Sequence, residues 1–180
     1  LASIKSYPEI EYYIRFHLAE VFLRSGKTKE ALEQVNIIHK TFPNTLLLTK
    51  SNILLAKILE KDNKIQTALN VLGQIEKRIS GFSVRSEYRS HLPEIIFLQG
   101  DLYQKLGNKS EAYDRYRLLH IAFPTNQITR QAKEEMNKLA KDMTINIKPL
   151  ALKEYEQRTR ALLREVEYQQ VVSEVSELLT

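Results

Sequence analysis

Hydrophobic positions recur along this chain with a helical period, and they come in paired blocks. Ile10, Ile14, Leu18 and Phe22 follow one another at intervals of four, which predicts a helix with that apolar face turned inward. Gly26 interrupts the pattern, and Ala31, Leu32, Val35 and Ile38 then form a second stripe that ends near Pro43. Two stripes around a tight turn predict an antiparallel helical hairpin. A second block sets Leu55, Ala56 and Leu59 before Asn63, and Ala68, Leu69, Leu72 and Ile75 after it. A third uses Leu98, Leu102 and Tyr103, then Ala112, Tyr116 and Leu119. Asn63 stands where the other blocks have glycine, the replacement expected where a helix ends in a left-handed residue.

The blocks are copies of one unit. The stretch "IIHKTFP" at 37–43 returns as "LLHIAFP" at 118–124, and the same shift lays Gly26 on Gly107, Glu30-Ala31 on Glu111-Ala112 and Pro43 on Pro124. The middle copy is displaced by 37 residues from the first, but Ala68 to Ala112 spans 44, so residues 81–92 are an insertion. That stretch is polar, carries Arg85, Tyr88, Arg89 and His91 as a possible binding edge, and is closed by Pro93, which suits the first turn of a helix. Ala19, Ala56 and Gly100 on the first helices, and Ala31, Ala68 and Ala112 on the second, let the paired axes approach closely. Ser80 takes the place of the proline in the middle copy.

After Pro124, Ile128, Ala132, Met136 and Leu139 predict one more helix packed on the third pair. Residues 143–149, "MTINIKP", alternate like a strand but have no partner strand, and are expected to be an extended connector. Residues 150–180 predict a further, truncated helix pair in which Tyr168 precedes Val171 at the usual alanine position. The expected organisation is therefore all-α with eight to nine helices: 1–142 as three pairs and a following helix, 143–149 as connector, 150–180 as the last pair. The uncapped apolar end at Leu178-Leu179-Thr180 and the start at Leu1 rather than Met suggest a processed or excised piece of a longer chain.

Composition agrees with a folded helical protein: 43% hydrophobic and 27% charged residues, with five Gly and five Pro in 180. No stretch is apolar for long enough to span a membrane, and zero cysteine rules out disulfides and thiolate sites. The net charge of +5 lies in the first half, where residues 1–90 hold 14 Lys and Arg against 9 acids. These cations are interleaved with acids in no run of five, which favours a solvated surface over a nucleic-acid or lipid track.

Catalytic and metal residues are not apparent, and no cofactor is implied. His39 and His120 share one repeat position, as packing residues would, and His17 is also expected to pack because no HExxH spacing surrounds it. Glu134-Glu135 and Glu154 with Glu156 lie beside Lys133, Lys138, Lys153 and Arg158, as solvated ion pairs do.

The period in the mid-thirties, together with Gly100, Tyr103, Gly107, Ala112, Tyr116 and Pro124, resembles the tetratricopeptide repeat. The resemblance implies a superhelix whose first helices form a peptide-binding wall. By that register the groove residues are Tyr13, Phe16, Glu20 and Arg24, then Lys50, Ile53, Lys57 and Lys61, then Glu94, Phe97, Asp101 and Lys105. Phe16, Ile53 and Phe97 would form an apolar floor, or cover the next helix. Phe16, Glu20 and Phe97 replace the Lys and Asn clamp of repeats that grip chaperone tails. The opening "YPEIEYYIRFHLAEVFLRSGKTKEAL" and the closing "YEQRTRALLREVEYQQVVSEVSELL" resemble the N-terminal helical region of bacterial soluble lytic transglycosylases. That likeness implies a periplasmic, non-catalytic scaffold associated with peptidoglycan, its enzyme domain downstream. A stand-alone envelope assembly protein, or a basic solenoid binding nucleic acid or anionic lipid, are the rival readings, and a cytoplasmic location stays open. The implied partner is another protein or peptide, or the rest of the same chain.

Overall fold

The structure, a computed structural model, describes residues 8–42, 46–81, 87–142 and 149–179, with the side chains of residues 46, 47, 178 and 179 left aside. Among these residues every regular element is helical: α1 (Pro8–Arg24), α2 (Thr28–Thr41), α3 (Leu46–Lys61), α4 (Ile65–Ser80), a 3₁₀ turn (Glu87–His91), α5 (Leu92–Lys105), α6 (Lys109–Ala122), α7 (Gln127–Asp142), α8 (Leu152–Arg164) and α9 (Tyr168–Leu179). The chain is all-α and built of antiparallel helix pairs. It divides into two compact units, Leu1–Ile95 and Ile96–Thr180, with the division inside α5. The expected connector at 143–148, the chain start, Pro43 and Thr180 lie outside the described residues; Pro149 and Leu150 are non-helical.

One turn is built four times. Gly26, Asn63, Gly107 and Val166 all take left-handed φ, at 75°, 59°, 78° and 64°. The amide of the following residue reaches back to the last turn of the preceding helix: Lys27 to Phe22 O at 2.8 Å, Lys64 to Leu59 O at 2.8 Å, Asn108 to Tyr103 O at 2.9 Å and Glu167 to Leu162 O at 3.0 Å. This closure satisfies helix-end carbonyls that would otherwise lack donors. Five residues after each left-handed residue come Ala31, Ala68, Ala112 and Val171, whose amides bond to the turn residue four back. The hairpins of α1–α2, α3–α4, α5–α6 and α8–α9 are thus in one register, and the last of them reaches it with valine in the left-handed position.

The second helices stop alike too. Phe42 and Phe123, which follow α2 and α6, have φ of −126° and −137° with ψ near 59° and 56°. Each precedes a proline, whose ring drives the residue before it out of the helical region.

Packing explains the small residues. Ala19, Ala31 and Ala68 are fully buried, as is Ala112. At Gly100 a Cβ would run into the ring of Tyr116. Val35 and Leu72 occupy the register position of Tyr116 in the first two pairs, opposite Ala19 and Ala56. The first helix therefore gives up its last side-chain carbon where the second helix carries a ring.

In the first unit α1 packs on α2, α2 and α1 on α3, and α3 on α4, with the 3₁₀ turn lying on α3 and α4. Ala19, Ala31, Val35, Leu54 and Ile58 form one core cluster and Tyr12, Ile38 and Phe42 another, with Phe16 packed against both. The expected inward face of α1 is corrected here. Ile10, Ile14 and Leu18 are 50%, 41% and 41% exposed, while Tyr12 and Ala19 are buried. α1 is apolar on two opposite sides, so the four-residue spacing could not decide which one faces the core.

In the second unit α6 packs on α7 and on α8, and α8 on α9. Two arginines fasten α8. Arg117 of α6 holds Glu154 with two nitrogens at 3.0 and 2.8 Å and also reaches Pro149 O. Arg158 of α8 is buried, grips Glu174 of α9 with two bonds of 2.8 Å, and donates to the His120 carbonyl. The expectation that Glu154 and Arg158 belong to solvated pairs on their own helix is therefore corrected: both bridge between helices. Glu135–Lys138 and Glu156–Arg160 do remain on single helix faces.

Candidate functional site

The first unit holds a cavity of about 300 Å³ between its first helices. α1 supplies Phe16, Glu20, Leu23 and Arg24, which recur at three- and four-residue intervals and so share one side of the helix. α3 supplies Lys50, Ile53, Leu54 and Lys57 by the same spacing. His91 from the 3₁₀ turn and Glu94 from the first turn of α5 close the end. The floor is apolar and the rim is charged.

The rim charges are unequally matched. Glu20 accepts from His17 at 2.9 Å, and Glu94 from Lys57 at 2.8 Å. Among the described residues Arg24 and Lys50 have no ion-pair partner. Burial first, and the nearby Lys50 second, lower the pKa of His91 below its ordinary value, with Glu94 opposing. The imidazole is therefore neutral at pH 7 and adds no third charge. The cavity offers two uncommitted cations above Phe16, Leu23, Ile53 and Leu54, an arrangement that accepts a carboxylate or other anionic group beside an apolar side chain.

Not all of the residues expected from the repeat register meet at this place. Phe16, Glu20, Arg24, Lys50, Ile53, Lys57 and Glu94 line the cavity. Tyr13 does not: it is 51% exposed and stacks on His17, 6.5 Å between ring centres. Lys61 lies one turn beyond Lys57 at the exposed end of α3. Phe97, Asp101 and Lys105 belong to the second unit. There Phe97 packs against the Tyr116 ring at 5.6 Å, and Asp101 accepts the Tyr116 hydroxyl at 2.6 Å. Burial and that carboxylate raise the Tyr116 pKa well above the usual phenol range. Phe97 and Asp101 thus hold α5 to α6, and Lys105 is exposed on the last turn of α5. Leu23 and Leu54 complete the cavity from outside the expected groove set, and of the possible binding edge in the insertion His91 alone of the described residues lines it. The spacing Phe16, Glu20, Leu23 points to the first of these, whereas the place of His91 depends on the 3₁₀ turn.

The histidines divide. His39 reaches Ser51 of α3, the element that follows its pair, at 3.1 Å, whereas His120 lies against Arg158 of α8, beyond α7. His17 is exposed and paired with Glu20, not packed as expected. A wider cavity of about 500 Å³ in the second unit is lined in part by Arg117, which Glu154 already engages. Among the described residues no three His, Asp or Glu groups converge as a metal site requires, and no helix is long and apolar enough to cross a membrane.

No protein-family model matches the chain, and no curated protein matches it significantly. Among solved structures it is similar to a tetratricopeptide repeat protein from Parabacteroides merdae ATCC 43184, with 15% identity, a TM-score of 0.34, and 94% of this chain and 79% of that one covered.

Proposed function

We propose that this chain is a protein-interaction scaffold of tetratricopeptide type, and that the first unit captures an extended segment carrying an acidic residue next to an apolar one. One observation carries the reading: Arg24 and Lys50 stand without ion-pair partners over the apolar floor of the cavity. A space of about 300 Å³ is at the small end of ligand sites, which suits one or two side chains of a longer segment rather than an enclosed small molecule.

Binding of fluorescent peptides tests this, with Asp-Leu or Glu-Phe pairs compared against the same peptides carrying Lys in place of the acid. Lys50→Glu combined with Arg24→Glu is expected to weaken binding of the acidic peptides by at least about tenfold, some 1.4 kcal/mol. Equal binding by the variant, or no preference for acidic peptides, rejects the cavity. Phe16→Ala is the poorer probe, because Phe16 also packs on both core clusters.

Within this reading the segment is non-catalytic. Its place in the cell envelope, beside a lytic transglycosylase domain and peptidoglycan, is supported by the sequence resemblance of its two ends. The parent reading frame checks this: a lysozyme-like domain encoded after Thr180 supports it, and its absence removes it.

A further inference from the structure

α1 carries a second surface that the cavity does not use. Ile10, Ile14, Leu18 and Val21 follow one another at intervals of four, four and three, are 41–57% exposed, and lie opposite Tyr12, Phe16, Ala19 and Leu23. Tyr13, 51% exposed, flanks the stripe. A helix apolar on both sides has the composition of one with neighbours on both sides. These five side chains leave on the order of 400 Å² in contact with water, the scale of the largest apolar patch on a monomer and about the apolar share of the ~800 Å² that each partner gives a standard interface.

We propose that the stripe is covered by the same stripe of a second copy of this chain, the two α1 helices running antiparallel. The spacing reads nearly the same in either direction, so an antiparallel copy sets Ile10 against Val21 and Ile14 against Leu18. Such a contact is self-complementary and closes as a two-fold dimer. The charges select the direction. α1 opens with Glu9 and Glu11 and ends with Arg24, followed by Lys27. Antiparallel pairing brings the acidic end of each helix to the basic end of the other and opposes the helix dipoles, whereas parallel pairing would set like charges together. Arg24 lines the cavity and Glu11 is held by Arg15 at 2.7 Å, so the charges left for the second copy are Glu9 and Lys27, which have no ion-pair partner among the described residues.

The chain contains no cysteine, so an introduced one reports without ambiguity. The test uses the whole chain: light scattering across a concentration series, then oxidation of Ile10→Cys and Val21→Cys proteins alone and mixed. The expected result is a species of twice the 21.0 kDa chain mass, a disulfide in the mixture, and none in either protein alone, since eleven residues of helix separate like positions by about 16 Å. Ile14→Glu is expected to give the single-chain mass with an unchanged helical circular-dichroism spectrum. A wild-type chain that stays single throughout, as it would if another protein covers the stripe, overturns the proposal. So does crosslinking within one variant, or a dimer that survives Ile14→Glu. Peptide capture by Lys50 is read separately, so either can fail alone.

Discussion

At Val166 the side chain and the backbone disagree. The φ of 64° closes the α8–α9 turn as it does at Gly26, Asn63 and Gly107, but a β-branched residue there crowds its own carbonyl at a cost of about 1–2 kcal/mol. Val166 is 63% exposed, so little packing offsets the strain. Val166→Gly is expected to stabilise the α8–α9 pair by ~1 kcal/mol, the relief of strain being reduced by the greater freedom of glycine in the unfolded chain. Slower amide exchange in residues 152–177 would show it, and no change or faster exchange would contradict it. The same position shows what could be read from letters alone. Gly26, Asn63 and Gly107 announce their turns because their types tolerate left-handed backbone, while valine at 166 gives no such signal and only its distance of five residues from Val171 marks the place.

Helices were legible where their two sides differ in polarity. α4 buries Ile65, Ala68, Leu69, Leu72, Ile75 and Ile79 on one side, as its spacing predicts. α1 was misread because both sides are apolar, and the candidate site followed only in part because the repeat register locates α-carbons and not the bend that brings His91 to the cavity. Between helices, the joint of α6, α8 and α9 should respond to acid. Burial first, and Arg158 next, lower His120 to about 4 from an ordinary 6.5, and burial lowers His39 as well. A histidine held neutral in the fold but free to protonate when unfolded gives stability that is complete above pH 6.5 and is lost as pH falls toward about 4. Burial alone would raise Glu174, but bonds from Arg158 and Gln170 leave it below the ordinary carboxylate range, so its contribution is lost only on further acidification. The melting temperature is expected to fall between about pH 7 and pH 4.5. His120→Gln should flatten that slope, and a wild-type profile level over this range would contradict the assignment.

Across the molecule, stability should be uneven. Burying a Leu or Ile is worth up to roughly 1.5–3 kcal/mol; α4 has five buried ones, two of them fully so, whereas α9 has no buried residue among those described. Arrays of stacked pairs hold together by neighbour contacts and open from their least-packed members. Hydrogen exchange is expected to show residues 152–177 opening at lower free energy than α3 and α4, and one common opening energy for all helices would refute this. The all-α architecture was readable from hydrophobic period and turn letters, since both act locally. The division at Ile95 and Ile96 was not, because it depends on contacts distant in sequence.

The four turns in register also have a meaning for change over generations. Each hairpin is closed by its own backbone, so a gene segment that begins and ends between hairpins can be copied, lost or lengthened without disturbing any closure. The seven residues by which the second spacing exceeds the first fall in such a joint, between α4 and α5. Every hairpin keeps its count across that change of length, and because the same joint carries the 3₁₀ turn with His91, a change of length there would be felt at the cavity and not at any hairpin.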